Sequence, residues 1–423
     1  MRALALSALA LLCSLPLACA APADDAEVDG DDAPITSNDA QIVDFNFDSA
    51  VTTTADEDQR KAIIAQLFYT VGALTSEHEA NGQVGRVELT NVRSADAGGG
   101  KVKLSYHASL PVAWPKGRSV PRKYDVVLPT DSTNLRAFNA KYDGTCGKNE
   151  YGQETFWHDF DPKAAGCKPD AGDVVRSSAK VTKNKQVTTA KYPEYDQVWA
   201  DGALEVVAIF GYAEGGGASD IGQTEYEDFV SRAKALVPGS VQTETPKTAS
   251  IARDLTITGK VKIAGADKDV KVTALLIDSL YTTGADFARR YDPLSEKADL
   301  VVYNGHSELS KNTNALARMG KVAPKKYQLF FFDSCDTYAY LDTKLTERRA
   351  EVNGADDPKG TKYLDVATNV LPSYFMNYAS SSLTVFKALL ERDTPKTYNQ
   401  ILEGLPSDQV VVITGEEDNR FRP

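Results

Sequence analysis

The sequence predicts an α/β protein in which a smaller α+β domain precedes a larger domain, built on a mostly parallel sheet with helices on both faces. Two patterns support this fold class. Up to about residue 192, apolar and polar residues alternate along the predicted strands, which is typical of strands with one face in water. From about residue 193, the strands are short, continuous apolar runs separated by helical segments. Such runs indicate strands buried on both faces, as in a parallel sheet.

The chain begins with a predicted secretory signal peptide over residues 1–20. A single arginine precedes an apolar segment of alanine and leucine that ends near Leu12 and is too short to span a bilayer. The small residues at positions 18–20 suit cleavage after Ala20. Cleavage before Cys19, which would then carry a lipid anchor, is the alternative. In either case we expect an exported protein of the cell envelope or the extracellular space, with no transmembrane span.

Residues 21–43 are predicted to form an acidic, disordered tether. Nine Asp or Glu residues and no Lys or Arg lie between Asp24 and Asp48, and they account for most of the net charge of −12. The rest of the chain is close to neutral and has no basic patch interleaved with aromatic residues. Nucleic acid is therefore not predicted as a partner.

Residues 44–192 are predicted to form the α+β domain. Thr54–Glu57 has the spacing of a capping box, and apolar residues follow at helical spacing from Ile63 to Leu74. Residues 101–110 alternate between polar and apolar, which predicts a half-buried strand. Ser177–Lys191 is interpreted as a polar connector to the next domain. We therefore expect an amphipathic helix packed on a sheet with one wet face.

The cysteines predict one disulfide and one odd thiol. Two of the five cysteines belong to the leader, and Cys146 and Cys167 flank a single loop. In an oxidising compartment these two are expected to pair. Cys335 is then left without a partner, so it is either a buried, inert residue or a reactive thiol.

No metal or cofactor site is predicted. The chain has four histidines, and none stands at a zinc-ligand spacing. His158, inside the disulfide loop, is interpreted as an ordered loop residue. The glycine-rich segment Gly211–Gly222 lacks the Gly-Lys-Ser/Thr ending of a phosphate-binding loop, and it is interpreted as a solvent loop.

Two apolar strands of the second domain end in reactive side chains. One leads into Asn304-Gly305-His306-Ser307, and the next leads into Asp333-Ser334-Cys335-Asp336. Because the carboxyl ends of parallel strands lie at one edge of a sheet, His306 and Cys335 are expected to share that edge. They stand 29 positions apart, enough for a single crossover helix, so the strands should be neighbours. A thiol and an imidazole brought together are the minimum equipment for thiol catalysis.

This arrangement resembles the caspase–gingipain clan of cysteine peptidases. In that clan an apolar strand ends in a His-Gly dipeptide, and the following strand ends next to the catalytic Cys. The resemblance covers roughly Leu204–Ile413 and implies a caspase-like fold for residues 193–423. It also implies that Cys335 is the nucleophile and His306 the general acid and base, with Gly305 forming the tight turn that presents His306.

The sequence departs from the clan's pattern at several positions. Ser307 follows the histidine where the clan has glycine, although its backbone N–H and that of Cys335 remain predicted oxyanion donors. Asp333 and Asp336 flank the thiol and should raise its pKa. With Glu308, these two acids are also weak candidates for contacting a basic substrate side chain.

Two hypotheses for the function follow. In the first, the protein is an exported cysteine endopeptidase that cleaves a peptide or protein substrate through a Cys335–His306 dyad. In the second, it is a catalytically inactive relative of the same fold that serves as a surface binding or scaffold protein. The paired strand ends favour the first hypothesis, whereas Ser307 and the acids beside the thiol favour the second.

Overall fold

The computed structural model describes residues 40–184, 190–217 and 219–423. The predicted signal peptide, the predicted lipid anchor at Cys19 and the predicted tether as far as residue 39 lie outside the described residues. The first strand begins at Ala40, so the last four positions of the predicted tether belong to the folded domain. Among the residues that the structure describes, no helix has the length and apolarity that a membrane crossing requires.

The first domain is built on an antiparallel sheet with the strand order β2-β4-β1-β6-β5, in which β3 also pairs with β4. Its strands are β1 (Ala40–Thr54), β2 (Asn81–Gly82), β3 (Glu88–Gly98), β4 (Lys101–Pro115), β5 (Lys123–Pro129) and β6 (Val174–Lys183). Its helices are α1 (Gln59–Leu67), α2 (Tyr69–His78) and α3 (Leu135–Tyr142).

Two local predictions for this domain are wrong. Helix α1 is capped by Asp58, whose side chain accepts a hydrogen bond from the Lys61 N–H. Thr54 does not cap it, because strand β1 continues through Thr54. The predicted connector is strand β6 as far as Lys183, and this strand pairs with both β1 and β5. The segment is polar because the exposed side chains of β6 lie on one face of the strand. The strands with which β6 pairs are distant from it in sequence.

The second domain contains an eight-stranded sheet with the order β14-β13-β12-β11-β7-β10-β9-β8. Its strands are β7 (Ala203–Gly211), β8 (Val241–Thr245), β9 (Arg253–Ile263), β10 (Ala266–Ile277), β11 (Leu300–Asn304), β12 (Gln328–Asp333), β13 (Leu364–Asn369) and β14 (Val411–Thr414). Its helices are α4 (Tyr195–Val198), α5 (Ile221–Leu236), α6 (Ala285–Ser295), α7 (Lys311–Arg318), α8 (Thr337–Tyr340), α9 (Lys344–Asn353), α10 (Tyr378–Leu390) and α11 (Tyr398–Leu402).

The fold is of the α/β class, and this second sheet is mixed. The neighbouring pairs from β13 to β10 are parallel, whereas β14, β9 and β8 pair antiparallel at the two edges. Strand β11 is buried throughout: Leu300 and Val302 belong to the apolar core that includes α5 and α10, while Val301 and Tyr303 belong to the core that includes α6 and α7. Burial on both faces explains why this strand is a continuous apolar run.

The two domains pack together through the segment that follows Cys335. Tyr340 of α8 joins the core of the first domain, and Tyr338 packs with Ala40 in a smaller apolar cluster between the domains. A Cβ atom at Gly85 would lie only 2.2 Å from the Leu341 carbonyl oxygen, so the contact requires glycine there. The first domain therefore lies directly against the loop that carries the predicted nucleophile.

Candidate active site at the carboxyl edge of the second sheet

The structure brings the two predicted strand ends together. Strands β11 and β12 are parallel neighbours, and their last residues, Asn304 and Asp333, are paired in register. His306 and Cys335 each stand two positions beyond these partners, at the same edge of the sheet. Neighbouring strands lie about 5 Å apart, so the two loops begin next to each other at this edge.

This edge contains the topological switch point of the sheet. After β7 the chain goes to β8, β9 and β10, which all lie on one side of β7. It then crosses to β11, the neighbour of β7 on the other side, and continues outward to β12 and β13. Open α/β sheets bind ligands in the crevice outside the carboxyl ends of the strands where the order reverses. The loops after β7 and β11 flank that crevice, and His306 lies in the second of them.

His306 is exposed and held in a defined orientation. Its Nε2 lies 3.0 Å from the carbonyl oxygen of Ala213, and its ring packs edge-on against Phe375 with centroids 4.8 Å apart. A carbonyl oxygen can only accept, so Nε2 carries the proton of this hydrogen bond. In the neutral imidazole, Nδ1 then has a free lone pair, which is the state that a general base requires.

The loop after β7 has a structural role that the sequence did not reveal. The Asp220 carboxylate accepts hydrogen bonds from the backbone N–H groups of Ala213, Glu214 and Gly216, and it also caps α5 through Gly222. Burial raises the pKa of Asp220, but these donors outweigh it and the pKa is lowered. The interpretation of Gly211–Gly222 as a solvent loop is therefore wrong in part, because the loop fixes the carbonyl that orients His306.

The turn that presents His306 is tightly constrained. A Cβ at Gly305 would lie 2.8 Å from the Tyr303 hydroxyl. Glycine is therefore required at the position directly after β11, where the chain lies against the end of β7. The His306 carbonyl accepts from the Tyr303 hydroxyl at 2.8 Å and from Asn312 Nδ2 at 2.9 Å. Ser307 is buried, and its carbonyl accepts from the Asn312 N–H at 3.1 Å. Gly305 thus occupies the predicted turn, whereas the oxyanion role of Ser307 stays a prediction.

The residues just after this turn have a strained backbone. Glu308, Leu309 and Ser310 have φ values of 51°, 47° and 91°. Three consecutive non-glycine residues in the left-handed region cost on the order of 1 kcal/mol or more each. Strain of this kind concentrates at functional sites, and Glu308 is exposed, so its predicted contact with a substrate stays open.

Cys335 is less accessible than His306. The thiol is half-buried, and its Sγ lies 3.6 Å from the Ser373 carbonyl oxygen. Burial raises the pKa of this thiol to about 11, and the charges of Asp336 and Asp333 add to the shift. The thiol form therefore dominates at neutral pH, in the direction that the flanking acids predict.

Asp333 does not face a substrate, which corrects part of the weak specificity prediction. The side chain is fully buried, and its Oδ1 accepts from Asn369 Nδ2 at 2.9 Å, Ser373 Oγ at 2.6 Å and Gln409 Nε2 at 2.9 Å. Burial raises the pKa of this carboxyl to about 6 in spite of those donors. Asp333 instead anchors the loop whose Ser373 carbonyl meets the thiol.

Asp336 is also buried, with a left-handed φ of 53°. Its Oδ1 accepts from Asn81 Nδ2 at 3.2 Å, and its Oδ2 lies 3.7 Å from Nε2 of His158. Both partners come from the first domain, so this acid is also unavailable for direct contact with a substrate. The sequence contains no local signal for a contact between residues so far apart.

The predicted disulfide is present and shapes the loop that reaches the site. Cys146 and Cys167 are bonded, with their Cα atoms 4.6 Å apart. Within the loop, Trp157 packs edge-on against Tyr340 of α8, with ring centroids 5.7 Å apart. The loop thus extends the first domain as far as the segment that follows Cys335.

Most of the exposed apolar side chains lie in segments that follow the carboxyl ends of strands of the second sheet or in the disulfide loop. Eight large apolar residues are exposed in the described part of the chain, and five of them follow β7, β10 or β13 or lie in the disulfide loop. Exposed apolar residues that cluster in this way mark binding surfaces, whereas scattered ones need no explanation. The five residues are Tyr151, Ile221, Tyr281, Tyr374 and Met376.

The described residues contain no group of three or more His, Cys, Asp or Glu side chains arranged to hold a metal ion. Neither a protein-family model nor a curated protein sequence matches this chain. The assignment of function therefore rests on the geometry of the site.

Proposed function

We propose that this protein is an exported, caspase- and gingipain-like cysteine endopeptidase that uses Cys335 as nucleophile and His306 as general acid and base. The observation that carries the proposal is the parallel register of β11 and β12, with Asn304 opposite Asp333. That register puts a thiol and an imidazole at one edge, next to the switch point where such sheets bind ligands. The disulfide favours an oxidising compartment and so supports export.

The proposed reaction follows the chemistry of the two side chains. The sulfur of Cys335 attacks the carbonyl carbon of the scissile peptide bond, and the thiol proton passes to Nδ1 of His306. The backbone N–H groups of Ser307 and Cys335 would stabilise the oxyanion that forms. The C–N bond then breaks, and the imidazolium returns the proton to the leaving amine. Water, deprotonated by His306, then attacks the thioester carbonyl carbon. The C–S bond breaks, the imidazolium returns the proton to the sulfur, and the acid product leaves.

The raised thiol pKa constrains this mechanism. With a thiol pKa of about 11, little preformed thiolate exists at neutral pH, so attack must be accompanied by proton transfer to His306. The hydrogen bond from Nε2 to Ala213 supports this role, because it leaves Nδ1 as the accepting nitrogen. The site therefore depends on His306 more strongly than a site with a free thiolate would.

The second candidate function is a binding module of the same fold without catalysis. The half-buried, largely protonated thiol favours it, because a nucleophile needs thiolate character and access. The apolar side chains around the edge, among them Tyr374 and Met376, suit the binding of a peptide segment in either function.

Cleavage of an unfolded, dye-labelled protein tests the proposal. We expect the wild-type protein to cleave it, Cys335→Ala to abolish cleavage, and His306→Ala to slow it by about 100-fold or more. His107→Ala is the matched control, because His107 pairs with Asp48 in the first domain. Equal cleavage by wild type and Cys335→Ala would overturn the proposal. Binding of the unfolded protein without cleavage would support the second candidate instead.

A further inference from the structure

His158 lies between two carboxylates at the contact between the domains. Its Nδ1 is 3.0 Å from Asp159 Oδ1, and its Nε2 is 3.7 Å from Oδ2 of Asp336, the residue after the thiol. The other oxygen of Asp336 accepts from Asn81. Asp336 thus has one partner in each of two segments of the first domain, and His158 is the one that can carry a positive charge.

The surroundings keep His158 protonated. Burial lowers the pKa of its imidazole, but the hydrogen bond to Asp159 and the interactions with the charges of Asp159 and Asp336 outweigh burial and raise the pKa to about 9. The aromatic ring of Tyr151 packs edge-on against the imidazole with centroids 5.6 Å apart. Among the described residues, the other titratable groups that interact with Asp336 include the thiol of Cys335 and the hydroxyls of Tyr340 and Tyr151.

We propose that His158 is a positioning residue for Cys335: its imidazolium balances the charge of Asp336, and the disulfide loop brings it there from the first domain. After burial itself, the charge of Asp336 is the largest contribution that opposes ionisation of the thiol. An opposite charge on the far side of Asp336 reduces that contribution, because the field of a neutralised carboxylate is weaker. The first domain is then part of the reactive site and not only its neighbour.

This inference deepens the proposed function and rests on it only for its biological consequence. It concerns the ionisation of the thiol, which can be measured without a substrate. The loss of His158 should act through Asp336, whereas the loss of His306 should act directly on the proton that the thiol gives up. The two roles are therefore separable by experiment.

The test measures the rate at which iodoacetamide labels Cys335 in the folded full-length protein from pH 6 to pH 9, below the thiol pKa of about 11. We expect His158→Gln to slow labelling at pH 8 by about three- to tenfold, since one pKa unit corresponds to a tenfold change in thiolate at pH below the midpoint. Asp336→Asn should speed labelling over the same range. The double variant should match Asp336→Asn alone, because His158 acts through that carboxylate.

Two further variants exclude a merely structural effect. His158→Lys, which keeps a positive charge, should restore a profile close to wild type, and His107→Gln should leave the profile unchanged. A wild-type profile for His158→Gln, or effects of the two single variants that simply add in the double variant, would overturn the inference. If His306→Ala leaves labelling unchanged while His158→Gln slows it, the dyad fails and the inference stands.

Discussion

The loops that carry His306 and Cys335 are neighbours at one edge of a sheet, yet they differ in their surroundings. The imidazole is exposed and oriented by Ala213, whereas the thiol is half-buried against Ser373. The difference arises on the Cys335 side, where α8 packs into the core of the first domain. The comparison teaches that the strand order sets the position of the thiol, and we expect packing against the first domain to contribute to its burial.

The largest expected effect comes from separating the two domains. Gly85→Ala puts a methyl group 2.2 Å from the Leu341 carbonyl oxygen, so the segment after α8 must move. We expect a loss of about 1–3 kcal/mol in the free energy of unfolding, as for other overpacked contacts, together with faster iodoacetamide labelling of Cys335. Urea unfolding and labelling measure the two effects.

Gly117→Ala is the control for that experiment, because no atom lies within 4 Å of a Cβ at Gly117. Equal labelling rates in Gly85→Ala and wild type would show that the first domain does not shield the thiol. The difference in burial between the two loops would then have another cause.

The buried carboxyl of Asp333, beneath the Cys335 loop, predicts an effect of intermediate size on the free energy of unfolding, and this effect depends on pH. Burial raises the pKa of Asp333 to about 6, so its folded form favours the protonated state. The stability that this preference contributes is present at low pH and is lost as the pH rises through about 6. Asparagine is neutral and can keep a carbonyl oxygen in the place of Oδ1, while Oδ2 has no hydrogen-bond partner in the described part of the chain.

We therefore expect Asp333→Asn to gain stability relative to wild type as the pH rises from 4.5 to 7.5, by about 2 kcal/mol. It should also lower the pKa of Cys335, because a negative charge near the thiol is removed. Urea unfolding at the two pH values measures the first effect. A difference that does not change with pH would contradict the burial of an ionisable Asp333.

The smallest expected effect on stability lies at the exposed apolar residues beside His306. Tyr374→Ser with Met376→Ser should change the free energy of unfolding by less than about 0.5 kcal/mol per residue, because both side chains are largely in solvent. Binding of an unfolded protein should nevertheless weaken several-fold. Val352→Ser, on α9, is the matched control, since Val352 is exposed elsewhere on the domain. Equal weakening by the control would remove the argument for a binding surface at this edge.

The sequence predicted the features that depend on local pattern. Strands β11 and β12 were recognisable because burial on both faces makes them continuous apolar runs, and their order followed from the single helix between them. The disulfide was predictable because only one cysteine pair flanks a loop in the folded region. The direction of the shift in the Cys335 pKa was also predictable, because the two flanking acids are adjacent to it in the sequence.

Several features that the sequence did not reveal depend on contacts between distant segments. Ala213 orients His306 across the crevice, and His158 reaches Asp336 from another domain. The burial of Asp333 follows from donors on β13 and from Gln409, which no local pattern announces. Hydrophobic periodicity reports which face of a strand is buried, but not which distant side chain meets it.

The most direct test of the central claim is covalent labelling of Cys335 by a peptide that carries an electrophilic ketone, at pH 7.5. If Cys335 and His306 act as one site, the folded wild-type protein is labelled at Cys335, and His306→Ala is labelled at least about tenfold more slowly, because proton transfer to His306 is lost. Both proteins should be labelled equally once they are unfolded in urea. Labelling of wild type only after unfolding, or equal rates for the two folded proteins, would contradict the account.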